Sequence, residues 1–120
     1  MPNPKSNPDL NLKTRPEANL ENHPLTSLDP LIHAPAPLTI LTYLYAVESS
    51  DYVFLMRMTG FTWGNLATHL GKLEEAGYIT VEKRFNGKKP QTLLRMTEAG
   101  RNAFRAYKKA MQQVLDDLPD

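Results

Sequence analysis

The chain has no cysteine. Disulfides, thiol nucleophiles and thiolate metal sites are therefore excluded. It also lacks any apolar run near the roughly 18 residues a membrane span needs. The N-terminus, "MPNPKSNPDLNLKTRPE", has no apolar stretch of the kind a secretory signal carries. There is little net charge, only +1 over 120 residues. The total therefore points to no partner, and the distribution of charge has to do so. No glycine-rich phosphate loop, Ser-His-Asp grouping or paired catalytic carboxylates can be placed. An enzyme is not expected, and neither is a cofactor. His23, His33 and His69 are too scattered for a metal site.

What is present is unevenly arranged. Residues 1–27 hold five of the ten prolines and few large apolar residues. Such a segment cannot bury enough surface to offset its ordering entropy, and it reads as a flexible tail. Leu25 and Leu28 are its candidate points of attachment. One compact domain is expected over 28–118. Ser27 or Asp29 can cap a short turn with Pro30 at its first position. Pro35 and Pro37 interrupt the pattern, and "PLTILTYLYAVE" then reads as a helix with Leu38, Leu41, Leu44 and Tyr45 on one face. Asp51 caps a shorter helix, "YVFLMRM", which ends at Gly60.

Thr62 is an N-cap for a third helix running to about Ala76. Leu66, Leu70 and Leu73 recur on its buried side, and Gly77 stands where a left-handed cap is wanted. "YITVEKRF" and "QTLLRM" flank Asn86-Gly87, a strong hairpin signal. Thr97 caps a long last helix whose first turn carries Glu98. The expected class is mainly α with a small β-hairpin (α+β), in the order helix-helix-helix-strand-strand-helix. The second and third helices are joined by "TGFT", so they form a helix-turn-helix. The hairpin that follows makes it a winged helix.

The charge now acquires a place. Between 62 and 97, Lys72, Lys83, Arg84, Lys88, Lys89 and Arg95 face only Glu74, Glu75 and Glu82, a net +3, whereas 28–61 is net −2. Positive charge gathers on the helix and hairpin that would meet phosphates. Alone, Lys88 and Lys89 read equally well as charge guarding a sheet edge. On the third helix, Asn65, Thr68, His69 and Lys72 lie opposite the leucines. Asn reads adenine, and Thr or Lys contacts bases or phosphates. These are mediocre choices for a face selected only for helix stability. Trp63 suits either stacking on sugar-phosphate or a hydrophobic staple. On the last helix Ala103, Tyr107, Ala110, Met111, Val114, Leu115 and Leu118 form an apolar stripe. It is longer than one small domain covers, so dimerisation is expected there.

"LDPLIHAPAPLTILTYL", "NLATHLGKLEEAGYITVEKRF" and "TLLRMTEAGRNAFRAY" together resemble winged-helix transcriptional regulators of the MarR/ArsR type. The closest likeness is to the small single-domain group, over about residues 28–115. The resemblance implies a cytoplasmic homodimer that binds a partly palindromic operator in double-stranded DNA. The recognition helix would span about 62–76 and the wing about 79–96. Its DNA contacts would come from Thr62, Trp63, Asn65, Thr68, His69, Lys72, Lys83, Arg84, Lys88 and Lys89. No membrane contact is implied. In such proteins a small phenolic effector often binds between the dimerisation and DNA-binding regions. Tyr43, Tyr45, Phe54 and Phe61 are candidates for lining such a crevice, but core packing is the favoured reading of them. A winged helix serving as a protein adaptor, or a non-specific architectural DNA binder, is the competing expectation.

Overall fold

The structure, a computed structural model, describes residues 24–120. Of the expected tail, 1–27, residues 1–23 lie outside the described residues. Pro24–Ser27 forms one 3-10 turn. Residues 29–107 make one compact body, while 24–28 and 108–120 fall in a second unit.

The elements of the body are α1 (Pro35–Tyr45), β1 (Ser50–Asp51), α2 (Tyr52–Thr59), α3 (Trp63–Glu75), β2 (Ile79–Asn86) and β3 (Lys89–Met96). The last helix, α4, spans Glu98–Asp116. The expected order of helices and hairpin is observed. Three details differ. The prolines at 35 and 37 do not precede α1 but open it, with Pro35 at its first position. In a first turn the missing N–H has no partner to lose. The hairpin turn falls one residue later than expected. Asn86 pairs with Lys89, so the loop is Gly87-Lys88, and Gly87 has φ of +68°. A two-residue hairpin turn needs that left-handed backbone at its first position. The third difference is β1, a two-residue strand that was not expected. It pairs antiparallel with β3, Ser50 opposite Leu94 and Asp51 opposite Leu93, giving the sheet order β1-β3-β2.

The caps follow local chemistry. Asp51 Oδ1 accepts from the amides of Val53 and Phe54, and Thr62 Oγ1 accepts from Asn65. Gly77, at φ +83°, ends α3 in a Schellman motif. Its amide donates to the Glu74 carbonyl, and the Tyr78 amide donates to that of Leu73. Leu66, Leu70 and Leu73 are buried as their spacing requires, and so are Ile40, Leu41 and Leu44 of α1, Leu55 of α2 and Leu94 of β3. Ile79, Met96 and Phe104 complete this core.

Tyr78 ties the turn after Leu28 to the sheet. Its hydroxyl donates to Asp29 Oδ2, while Asp29 Oδ1 accepts from the amide of Leu31. This bond, with burial as the lesser cause, pushes the Tyr78 phenol up to about 12 from an ordinary 10.0. The fold therefore holds a proton that the unfolded chain releases near pH 10. The contribution is fully present below that pH and is lost as pH rises through about 12. Urea titrations from pH 9 to 11.5 should show wild type losing stability more steeply than Tyr78→Phe. Equal slopes would mean that the bond contributes nothing.

Candidate nucleic-acid interface

The end of α2, Thr59, and the start of α3, Trp63, are separated by three residues. Gly60 makes the turn at φ +75°. This sets α3 as the second helix of a helix-turn-helix. Its leucine side faces the core, and Asn65, Thr68 and Lys72 are exposed on the other side. Thr62, at the cap, is also exposed. The Thr68 hydroxyl donates back to the Gly64 carbonyl, 3.0 Å away, so its oxygen lone pairs face outward.

His69 differs from this expected set. It is only half-exposed, its ring centroid lies 6.4 Å from that of Phe61, and its Nδ1 is buried without a partner. An imidazole that shields one nitrogen against an aromatic ring offers a groove fewer atoms than Asn65 does. Trp63 is 60% exposed, yet it is not loose. Its ring sits 4.4 Å from that of buried Tyr52, whose hydroxyl donates to the Trp63 carbonyl at 2.7 Å. Burial pushes the Tyr52 phenol up from its ordinary 10.0. Trp63 thus packs one side of its ring on the body and leaves the rest exposed.

On the wing, Lys83, Arg84, Lys88 and Lys89 are all exposed. Lys88 occupies the turn and Lys89 is the first residue of β3. Arg84 is steered by residues the sequence did not single out. Its Nε donates to Gln91 Oε1 at 3.4 Å, and Gln91 Nε2 donates to Asp51 Oδ2 at 3.1 Å. Asp51 is therefore at once the cap of α2 and an anchor for the wing. The Gln91 hydrogen bond, followed by the two cap amides and Arg57, outweighs burial and holds its carboxyl below the ordinary 3.8. Between α3 and the wing lies a cleft of about 320 Å³. Trp63, Ala67 and Gly71 line it on the helix side, and Val81, Lys83 and Thr92 on the sheet side. Small residues at 67 and 71 keep it open.

The apolar stripe of α4 divides. Tyr107 is buried in the body, stacked on Phe104, with its hydroxyl 2.8 Å from His33 Nδ1. Its ring is thus covered by its own chain, unlike the surface the stripe was expected to present. Ala103, Ala110, Met111 and Val114 are half-buried, and Leu115 and Leu118 are 52% and 61% exposed. The four rings considered for an effector crevice are not joined by any ring contact among the described residues. Tyr45 lies on Phe104 and Phe61 on His69, while the Tyr43 hydroxyl donates to the Met58 carbonyl and Phe54 is exposed.

Comparison with known families places this geometry. Residues 37–115 match the model of the winged helix DNA-binding domain. The chain belongs to this family. An uncharacterized protein of Methanocaldococcus jannaschii is 37% identical over 68 residues, 57% of this chain and 74% of that protein. The fold of a transcriptional regulator homologue from Pyrococcus horikoshii superposes with a TM-score of 0.73 at 22% identity, over 84% of this chain and 99% of that one. The transcriptional repressor CouR, solved on a 23-mer DNA duplex, matches with a TM-score of 0.63 at 19% identity, over 87% of this chain and 75% of that one. The winged-helix resemblance seen in the sequence is thus borne out.

Proposed function

We propose that the protein is a sequence-specific transcriptional regulator that binds double-stranded DNA as a homodimer. The observation that carries this reading is the exposed polar face of α3 beside a hairpin with four exposed basic residues, in a winged helix DNA-binding domain. In this reading α3 enters the major groove, which admits a helix. Asn65, Thr68 and Lys72 then face base edges, with His69 at the margin. Thr62 and Trp63 lie at the N-terminus of α3, where backbone amides and a pinned ring meet the sugar-phosphate strand. Lys83, Arg84, Lys88 and Lys89 contact phosphates from the wing. The exposed apolar end of α4, together with Met111 and Val114, joins two copies. A twofold dimer matches a partly palindromic operator. The protein works in the cytoplasm, where such DNA is reached. Proteins of the same fold solved on DNA, CouR among them, support this reading.

The test is affinity for a selected operator and for random duplex at several salt concentrations. Replacing Lys88 and Lys89 by alanine removes phosphate contacts that carry no base information. Both DNAs should be bound more weakly by similar factors. The log K against log salt slope should flatten by about 0.9 per lost contact in each subunit. A folded double variant with unchanged affinity and slope would return these lysines to guarding a sheet edge.

A further inference from the structure

The wing carries one residue that phosphate contact does not explain. Phe85 is 71% exposed, the most exposed of the large apolar side chains among the described residues. Strand alternation puts Ile79, Val81, Lys83 and Phe85 on one face of β2. That face is the one turned to α3, because Val81 and Lys83 line the cleft there. Ile79 is buried and Val81 half-buried, so the face runs from core to solvent and ends in an aromatic ring. Across the ladder Phe85 pairs with Pro90 and Lys83 with Thr92. Pro90 has no side-chain freedom to lose and makes a stiff backing for the ring. Lys83 shares the face of this apolar pair, Arg84 and Lys89 adjoin it along the strands from the opposite face, and Lys88 closes the turn.

We infer that Phe85, backed by Pro90, is an apolar wedge that enters the minor groove and bends the DNA. This rests on the DNA-binding reading above. Four ladder pairs, Lys83 with Thr92 out to Asn86 with Lys89, extend beyond the buried Leu93 and Leu94. At about 3.3 Å per residue they project some 13 Å, enough to cross one phosphate strand from a helix seated in the major groove. The groove beyond is about 6 Å wide. It excludes a helix but admits the edge of a hairpin whose strands are about 4.8 Å apart. Cations beside an apolar side chain are what a minor-groove wedge needs. The cations hold the two phosphate strands while the ring partly unstacks a base step. Pyrimidine–purine steps open most easily, so one should be preferred beneath the wing.

The test uses the full chain and its selected operator, with donor and acceptor dyes at the duplex ends. Wild type should bend the duplex by roughly 20° or more. Phe85→Ala should lose most of the bend and about tenfold in affinity, whereas Phe85→Leu, still apolar, should keep much of both. The exposed position predicts unchanged thermal unfolding for either variant. Replacing the pyrimidine–purine step under the wing should weaken wild type severalfold and leave Phe85→Ala unaffected. Wild type that binds the operator and leaves it straight overturns the wedge alone, as does Phe85→Ala bending it equally. Wild type that binds no duplex overturns the DNA-binding reading and this inference with it.

Discussion

Gly100→Ala should destabilise the protein by about 3 kcal/mol or more, at the upper end of what overpacking causes. Inside a helix this substitution ordinarily stabilises by about 1 kcal/mol. Here a Cβ at Gly100 would lie 2.1 Å from the carbonyl oxygen of Tyr78 and 2.9 Å from its carbonyl carbon. Backbone cannot swing aside as a flexible side chain can, and this stretch is held from several directions. The Tyr78 amide donates to Leu73, its carbonyl accepts from the Thr97 amide, and the Thr97 hydroxyl donates to the Gly77 carbonyl at 2.6 Å. The same hydroxyl oxygen accepts from the Gly100 amide, capping α4. The end of α3, the start of β2 and the start of α4 thus share one tight junction, and the alanine methyl would pry it open. Thermal unfolding should fall by about 10–20 °C for a domain of this size. Gly71→Ala is the control, because a Cβ there meets nothing within 4 Å. It should be neutral or slightly stabilising. Gly100→Ala unfolding with wild type would refute the clash.

Leu115→Glu combined with Leu118→Glu should convert the protein to monomers and reduce operator affinity by about 10²-fold or more, since linked half-sites add avidity on that scale. Both leucines are already more than half exposed in the single chain, so the fold of the body should not depend on them. Burying two carboxylates between copies without partners, however, is strongly unfavourable. Sedimentation velocity at micromolar concentration reads the assembly, and circular dichroism checks the fold. A wild type that sediments as a monomer would remove the dimer from the account.

Much of this architecture is legible in local chemistry. Asp51, Thr62 and Thr97 announce helix starts because their oxygens replace missing amide partners within three residues. Gly60 and Gly77 announce ends because the backbone there is left-handed. What local chemistry cannot give is a partner distant in sequence. Ser50 and Asp51 have no strand-like pattern, and only Leu93 and Leu94 make them β1. Helical spacing groups Tyr107 with Leu115 and Leu118. Which neighbour covers each is decided by packing, and Phe104 with His33 claims the tyrosine. The same limit applies to the interface. The polar face of α3 is visible in its spacing, but that Phe61 shields His69, that Tyr52 pins Trp63 and that Gln91 steers Arg84 are tertiary facts. Gly100 reads as an ordinary helical weak point until Tyr78 is placed against it.

The proposed reading of base sequence by α3 is tested most directly by selection from a randomised duplex library, run with wild type and with Asn65→Ala. Asn65 is exposed on the outer face of α3, and it is its backbone amide, not its side chain, that donates to the Thr62 cap. One good bidentate base contact supplies roughly 1–3 kcal/mol of discrimination. Wild type should recover a partly palindromic motif, and Asn65→Ala should recover the same motif with its preference relaxed at one position in each half-site. Recovery of no motif by wild type, or of an identical motif by both proteins, would contradict the account.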